Sequence, residues 1–346
     1  MSSGNRLVCS GRRKGAKHTS RDPHCVFWLA PSQVGLVQEL VGLHGHPVFL
    51  RRDALAHGYD DKALRAALRE QQIVRIRHGA YTSNEFWGRA DEVEQHKLRA
   101  FAVLETHGQG VALSHTSAVA MHALPVWDAD LTRVHLTRID AGSTRKSHDI
   151  KYHHGSITDA ELVSIAGGHK ATGIGRAVVE HATVTTIEAG MTTVDAYLND
   201  HPADVIQQAR DRFAGWPGMR RVRITLGLAR KGAESVGESR LRYLCWEFHL
   251  PEPELQVPIV DGSGHVVGVS DFAWREHRLL GEFDGKVKYS TFLRPNETPS
   301  DAVFREKRRE DRMRETSGYS MIRFCWADLF DRENTARRLR RALRLA

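Results

Sequence analysis

The sequence predicts an α+β chain of several domains, and three observations predict it. Its 346 residues exceed what one hydrophobic core usually organises, and at about 100–200 residues per domain they imply two or three units. With 41% hydrophobic and 27% charged residues, the chain holds material for a sizeable core and is neither wholly disordered nor fibrous. Helical and strand-like periods succeed one another in blocks, which divide the chain into an arm at 1–32, a unit at 33–84, a linking unit at 85–230 and a last unit at 234–346.

The net charge of +8 is unevenly placed. Residues 1–24 hold six Lys/Arg against one acid, and 332–346 hold six against one, so each end carries +5 and the residues between them −2. A uniformly basic nucleic-acid coat is thereby excluded. The longest charge-free stretch, Thr106 to Trp127, contains three His, a Gln, several Ser/Thr and a Pro, which excludes a membrane helix. The apolar run Cys25 to Ala30 is too short and too late for a signal peptide. Cysteines at 9, 25, 245 and 325 lack CxxC spacing, so neither a disulfide framework nor a thiolate zinc site is expected. A soluble cytoplasmic protein is the expectation.

The arm at 1–32 is rich in Gly, Ser and cations, without apolar period, and is expected to be disordered. From Val34 to Leu43 apolar residues recur at helical spacing until His44-Gly45-His46-Pro47 breaks the pattern. Phe49 to Gly58 reads as a short helix ended by glycine. Asp60 and Asp61 can cap a further helix from Lys62 to Glu70, with Ala63, Leu64, Ala67 and Leu68 on its apolar face. Ile73 to Tyr81 alternates and turns at Gly79, as a small hairpin does. Three helices and a hairpin within about fifty residues outline a winged helix-turn-helix, which lays one helix in the major groove and its wing on the backbone. Lys62, Arg65 and Arg69 then lie opposite the apolar stripe, and Arg75 and Arg77 alternate outward on the wing. Double-stranded DNA is the partner this pattern fits; the competing reading is a solvated basic face on a small structural domain.

The linking unit says least about chemistry. Val93 to His107 reads as an amphipathic helix, Ser114 to Pro125 as a capped helix ended by proline, and Arg133 to Thr137 as a strand. After Gly167-Gly168, helical patterns run from Ile174 to Leu198 and from Asp204 to Leu228. His115, His122, His153 and His154 share no HxH or HxxxH spacing, so they read as ordinary surface or core histidines and no metal is assigned here.

The last unit opens with a helix from Ser235 to Phe248, stopped by Leu250-Pro251-Glu252-Pro253. Strand-like runs at 255–260, 265–274 and 278–284, separated by short turns, form an antiparallel meander. A turn centred on Glu276 sets residue 271 opposite residue 281, one place from Glu282, and a half-residue shift or bulge brings Asp271 beside Glu282. Two carboxylates so placed repel unless a cation sits between them, and their oxygens suit Mg²⁺ or Mn²⁺. Asp284 points to the same side as Glu282 and adds a third oxygen, and Lys286 or Lys288 can offset charge developing on a phosphodiester. A helix beginning at Arg305 presents Arg305, Lys307, Arg308 and Arg309 to a DNA path and ends at Gly318. A strand to Trp326 and a basic helix from Ala327 follow.

The runs Asp271-Phe272-Ala273-Trp274, Glu282-Phe283-Asp284-Gly285 and Glu306-Lys307-Arg308-Arg309-Glu310-Asp311 resemble the very-short-patch-repair-endonuclease-like domain of the PD-(D/E)XK nuclease superfamily. Ala54 to Tyr81 is similar to the amino-terminal winged helix of AbiEi-type antitoxins. The first resemblance implies a restriction-endonuclease-like α/β core in which Asp271, Glu282 and Glu238 are metal ligands. This chain departs from that pattern in having Asp284 where the superfamily has lysine, which moves the lysine role to Lys286 or Lys288. Two functions follow as expectations: a Mg²⁺-dependent DNA endonuclease of repair or defence, and a repressor or antitoxin-like DNA-binding protein whose nuclease-like unit is only a scaffold. A toxin protein is a further expected partner, bound through 85–230.

Overall fold

A computed structural model of the chain describes residues 36–140, 147–285 and 298–345. The basic arm and both Lys286 and Lys288 lie outside the described residues.

The first unit folds as α1 (Leu36–Leu40), β1 (Phe49–Leu50), α2 (Arg51–Ala56), α3 (Asp61–Arg69), β2 (Ile73–Arg77) and β3 (Ala80–Ser83). The α1 pattern stops earlier than its apolar spacing predicts, because Gly42 adopts a left-handed φ of +96° that a helix cannot continue through. Asp60 caps α3, its carboxylate accepting the Ala63 N–H at 2.7 Å. Gly79, at φ +73°, lets β2 turn back into β3. The strands form an antiparallel sheet in the order β1-β3-β2. Phe49, Leu64, Ile73 and Tyr81 meet in a core beneath it.

From β3 the chain passes into α4 (Asn84–Arg89) and α5 (Glu92–His107). Then come β4 (Val111–Leu113), α6 (His115–Met121), β5 (Val134–Arg138), β6 (Ile150–His153), β7 (Leu162–Ser164) and β8 (Lys170–Thr172). These strands form one mixed sheet in the order β6-β5-β4-β8-β7, with β5 and β6 parallel. Helices α7 (Ile174–Val184), α8 (Ile187–Asp200), α9 (Ala203–Arg212) and α10 (Met219–Leu228) follow. Each of the two long helical patterns of the sequence is thus broken once. Thr186, in extended conformation, caps α8 through the Ala189 N–H, and left-handed Gly218 opens α10.

Two seams join this part to its neighbours. On one side, His46 Nε2 and His169 Nε2 both donate to Oε1 of the buried Glu105, at 3.1 and 2.9 Å. On the other, Arg242 of α11 (Val236–Glu247) donates to Asp195 of α8 at 2.6 Å, and Arg240 to Glu188 at 2.9 Å.

The last unit places α11 against β9 (Glu254–Val260), β10 (Val266–Trp274) and β11 (Leu279–Asp284), followed by α12 (Pro299–Ser317), β12 (Ser320–Cys325), α13 (Trp326–Phe330) and α14 (Arg332–Ala342). Sheet order is β12-β11-β10-β9, antiparallel except for the parallel β11–β12 pair. Leu241, Phe272, Trp274, Phe283 and Leu339 fill one face of the sheet, and Val257, Ala273, Leu280 and Met313 the other. A Cβ at Gly237 would collide with the Phe283 ring, so only glycine lets α11 approach β11 this closely. The single basic helix expected from Ala327 is two, parted at Asp331.

Candidate functional site

The α3 surface is set by its cap and its apolar face. With Leu64 and Ala67 buried, Lys62, Arg65 and Arg69 fall on the solvent side and are exposed. Asp61 is held by Arg51 Nε at 2.7 Å, a bond that ties α2 to the start of α3 and fixes the angle between them. Arg75 is exposed on the wing. Arg77 is not available as the alternation of the strand predicts: a register shift between Arg75 and Arg77 turns it toward the linking unit. There its guanidinium lies 3.4 Å from Asp149 and donates to Thr106 Oγ1 at 3.3 Å.

The acidic residues of the last unit do come together. The β10–β11 ladder pairs Phe272 with Gly281, one place off the symmetric turn, and its continuation sets Asp271 beside Glu282. The cause is the single helical turn Arg275–His277 closed by left-handed Arg278 at φ +48°, which takes up an odd residue. Asp271 Oδ2 accepts the Phe283 N–H at 2.8 Å. Glu238, buried in the first turn of α11, accepts from Ser235 Oγ at 2.7 Å, the Glu234 N–H at 2.9 Å and Gln256 Nε2 at 3.2 Å. Burial, helped by the nearby Asp271 carboxylate, raises the Glu238 carboxyl above its usual range. Gln256 itself has φ +49°, a strained backbone beside the cluster. Asp284 is half-buried at the end of β11.

The α12 cations divide. Lys307 and Arg308 are exposed and Arg305 is half-buried. Arg309, expected on a DNA path, instead turns inward: its Nη2 lies 3.2 Å from Glu282 Oε2 and 2.6 Å from Glu306, and its Nη1 donates to the Val269 carbonyl at 2.9 Å. The reason is electrostatic, since a buried carboxylate such as Glu282 draws the nearest cation. Oxygen donors suit Mg²⁺ in kind. The N–H and O–H groups that Asp271 and Glu238 accept use part of their lone pairs, and the Arg309 guanidinium would compete with a cation for Glu282.

In the linking unit, the reading of its histidines as unconnected is corrected. His115, His135 and His153 bring one ring nitrogen each within 4.8 Å of one another. His122 stays apart, donating to the Thr172 carbonyl at 2.8 Å. Spacing could not reveal the group, since its members come from the start of α6, the start of β5 and the end of β6. The available signal was a histidine, His135, between the apolar Val134 and Leu136 of a strand.

Residues 37–84 match the family described as transcriptional regulator, AbiEi antitoxin. The match covers the helices, the α3 surface and the wing. Two curated relatives in Mycobacterium tuberculosis, the uncharacterized proteins MT2308 (strain CDC 1551) and Rv2248 (strain H37Rv), are each 29% identical over 215 residues, covering 61% of this chain and 73% of the relative. The crystal structure of the RV2827C protein of the same organism overlaps 56% of this chain and 75% of its own, at 17% identity and a TM-score of 0.37. Among the described residues, no helix is long and apolar enough to cross a membrane.

Proposed function

We propose that the chain is a DNA-binding transcriptional regulator of the antitoxin kind, reading double-stranded DNA through α3 and its wing. The observation that carries this is the exposed row Lys62, Arg65 and Arg69 on the helix of a segment that matches an antitoxin regulator family. Spacing of three and four residues along a helix aligns the cations on one face, where the first can meet base edges and the others phosphates. Arg75 supplies a backbone contact from the wing. A toxin protein is the second partner, engaged through the linking unit and detectable by co-purification. Selection from a random duplex pool tests the main reading. Wild-type protein enriches a defined sequence, whereas a Lys62→Ala variant relaxes that preference and an Arg65→Ala/Arg69→Ala variant binds all duplexes more weakly. Failure of the wild type to enrich any sequence over bulk DNA overturns it.

The adjacency of Asp271 and Glu282 favours a second reading, a DNA endonuclease on a restriction-endonuclease-like core. The order α11-β9-β10-β11-α12-β12, with acids on α11, β10 and β11, supports that core. The guanidinium on Glu282 speaks against a metal there and for a scaffold whose acids are neutralised from within the chain. Nicking of supercoiled or mismatched DNA in Mg²⁺, absent from an Asp271→Ala/Glu282→Ala variant, would establish the nuclease.

A further inference from the structure

We propose that His115, His135 and His153 form a binding site for one divalent transition-metal ion, with zinc as the ion of first choice. The donor geometry leads to this. His153 Nε2 lies 3.2 Å from His135 Nδ1. Two imidazole nitrogens on a tetrahedral Zn²⁺, each about 2.0–2.1 Å from the ion, stand about 3.3 Å apart. One nitrogen of His115 completes a trio within 4.8 Å; its ring stacks on His153, with centroids 3.4 Å apart at 17°, so one of these two rings turns about its Cβ–Cγ bond to bring both in-plane lone pairs onto one ion. Three imidazoles without thiolate suit zinc and its neighbours in the transition series over Mg²⁺ or Ca²⁺.

The fold builds the group deliberately. The turn at 114–117 grips residue 135 from both sides, with the Ser114 N–H donating to the His135 carbonyl at 3.1 Å and the His135 N–H donating to Ser117 Oγ at 2.8 Å. His115 is held at φ +50°, where a residue with a Cβ is strained by roughly 1–2 kcal/mol. Its N–H donates to the buried Glu180 at 3.2 Å, and Glu180 is fixed in turn by Arg176 at 2.7 Å and Thr172 at 3.2 Å. His115 Nδ1 sits 3.0 Å from Ser114 Oγ; in the tautomer where Nδ1 donates, Nε2 offers its lone pair.

The second histidine group of the chain shows the contrast. His46 and His169 each donate Nε2–H to Glu105, and His46 Nδ1 accepts the Val48 N–H at 3.3 Å, so hydrogen bonds account for that group. Around the three histidines the nearest carboxylate, Glu180, is 3.8 Å from His115 Nδ1, beyond a hydrogen bond. The Lys151 side chain stands near them. The other groups facing them are the buried His181 and His96 and the exposed His154. His153, half-exposed on the edge strand β6, gives the ion its way in, and three protein donors leave a coordination position for water.

The test uses the full chain freed of metal with EDTA and dialysed. Titration with Co²⁺ is expected to give the intense visible d–d absorption of a tetrahedral or five-coordinate ion, saturating at one equivalent and abolished by Zn²⁺. His153→Gln, on the edge strand and least able to disturb folding, is expected to weaken Zn²⁺ binding by at least about 100-fold. His181→Gln keeps wild-type affinity. The melting temperature of metal-free His153→Gln should equal that of the metal-free wild type, which separates lost coordination from lost structure. The proposal is overturned if cobalt gives only its weak aqueous spectrum, or if His153→Gln binds as tightly as the wild type.

Discussion

Arg242 of α11 donates to Asp195 of α8 at 2.6 Å, with side-chain exposures of 1% and 0%. The same guanidinium also donates to the Leu228 carbonyl at 2.6 Å and to Glu252 at 3.0 Å, while the Arg230 N–H donates to the other Asp195 oxygen at 2.8 Å. Removing either partner strands a buried charge, which costs about 3–5 kcal/mol. Asp195→Ala should therefore lower stability by about that amount in chemical denaturation. Loss of under about 1 kcal/mol would show that water enters the seam and solvates Arg242.

Acid should loosen the fold before it protonates most carboxylates. Burial holds His46 down to about 4 in the folded chain against 6.5 for the free side chain, and it lowers His96 and His122 in the same direction. A depressed folded value means that the unfolded chain takes up protons first. The stabilisation is complete above about pH 6.5 and disappears as pH falls toward 4, worth up to roughly 3 kcal/mol for His46. Melting temperature should fall between pH 7 and pH 5, and His46→Gln should flatten that slope. An unchanged slope assigns the acid sensitivity to the other histidines.

Phosphate contacts by α3 carry a salt signature. If Arg65 and Arg69 each neutralise one phosphate, the double alanine variant should reduce the slope of log affinity against log salt by roughly 1–2. Fluorescence anisotropy on one duplex across a salt series reads this directly. Arg77→Ala should leave the slope unchanged, because its partners are Asp149 and Thr106.

The acidic cluster makes a separate prediction. With Arg309 seated on Glu282, supercoiled DNA in Mg²⁺ should be nicked no faster by the wild type than by Asp271→Ala/Glu282→Ala. An Arg309→Ala change removes that ion pair and should destabilise the chain by about 1 kcal/mol, since the Arg309 side chain is 32% exposed. Faster nicking by the wild type than by the double variant would reverse the assignment of the scaffold.

What was legible in the sequence was local. Asp60 before an apolar face, Gly79 inside an alternating run and Ser235 three residues before Glu238 each act on their immediate neighbours, and each marks an element found in the fold. The cross-strand approach of Asp271 to Glu282 was legible from the turn arithmetic once a shift was allowed, and the helical turn Arg275–His277 supplies that shift. Contacts between distant segments left no periodic trace. Arg77 with Asp149, Arg242 with Asp195 and the three histidines depend on how finished elements dock, and a single buried His or Arg looks the same in the sequence whether or not it has a partner.

Glu105 receives two histidines from opposite sides of the first seam through one oxygen atom. β3 meanwhile runs into α4 without a spacer, Ser83 serving both as the last strand residue and as the helix cap. The first unit is therefore a fixed head and not a tethered one. On the duplex proposed for it, it would have little orientational entropy to lose.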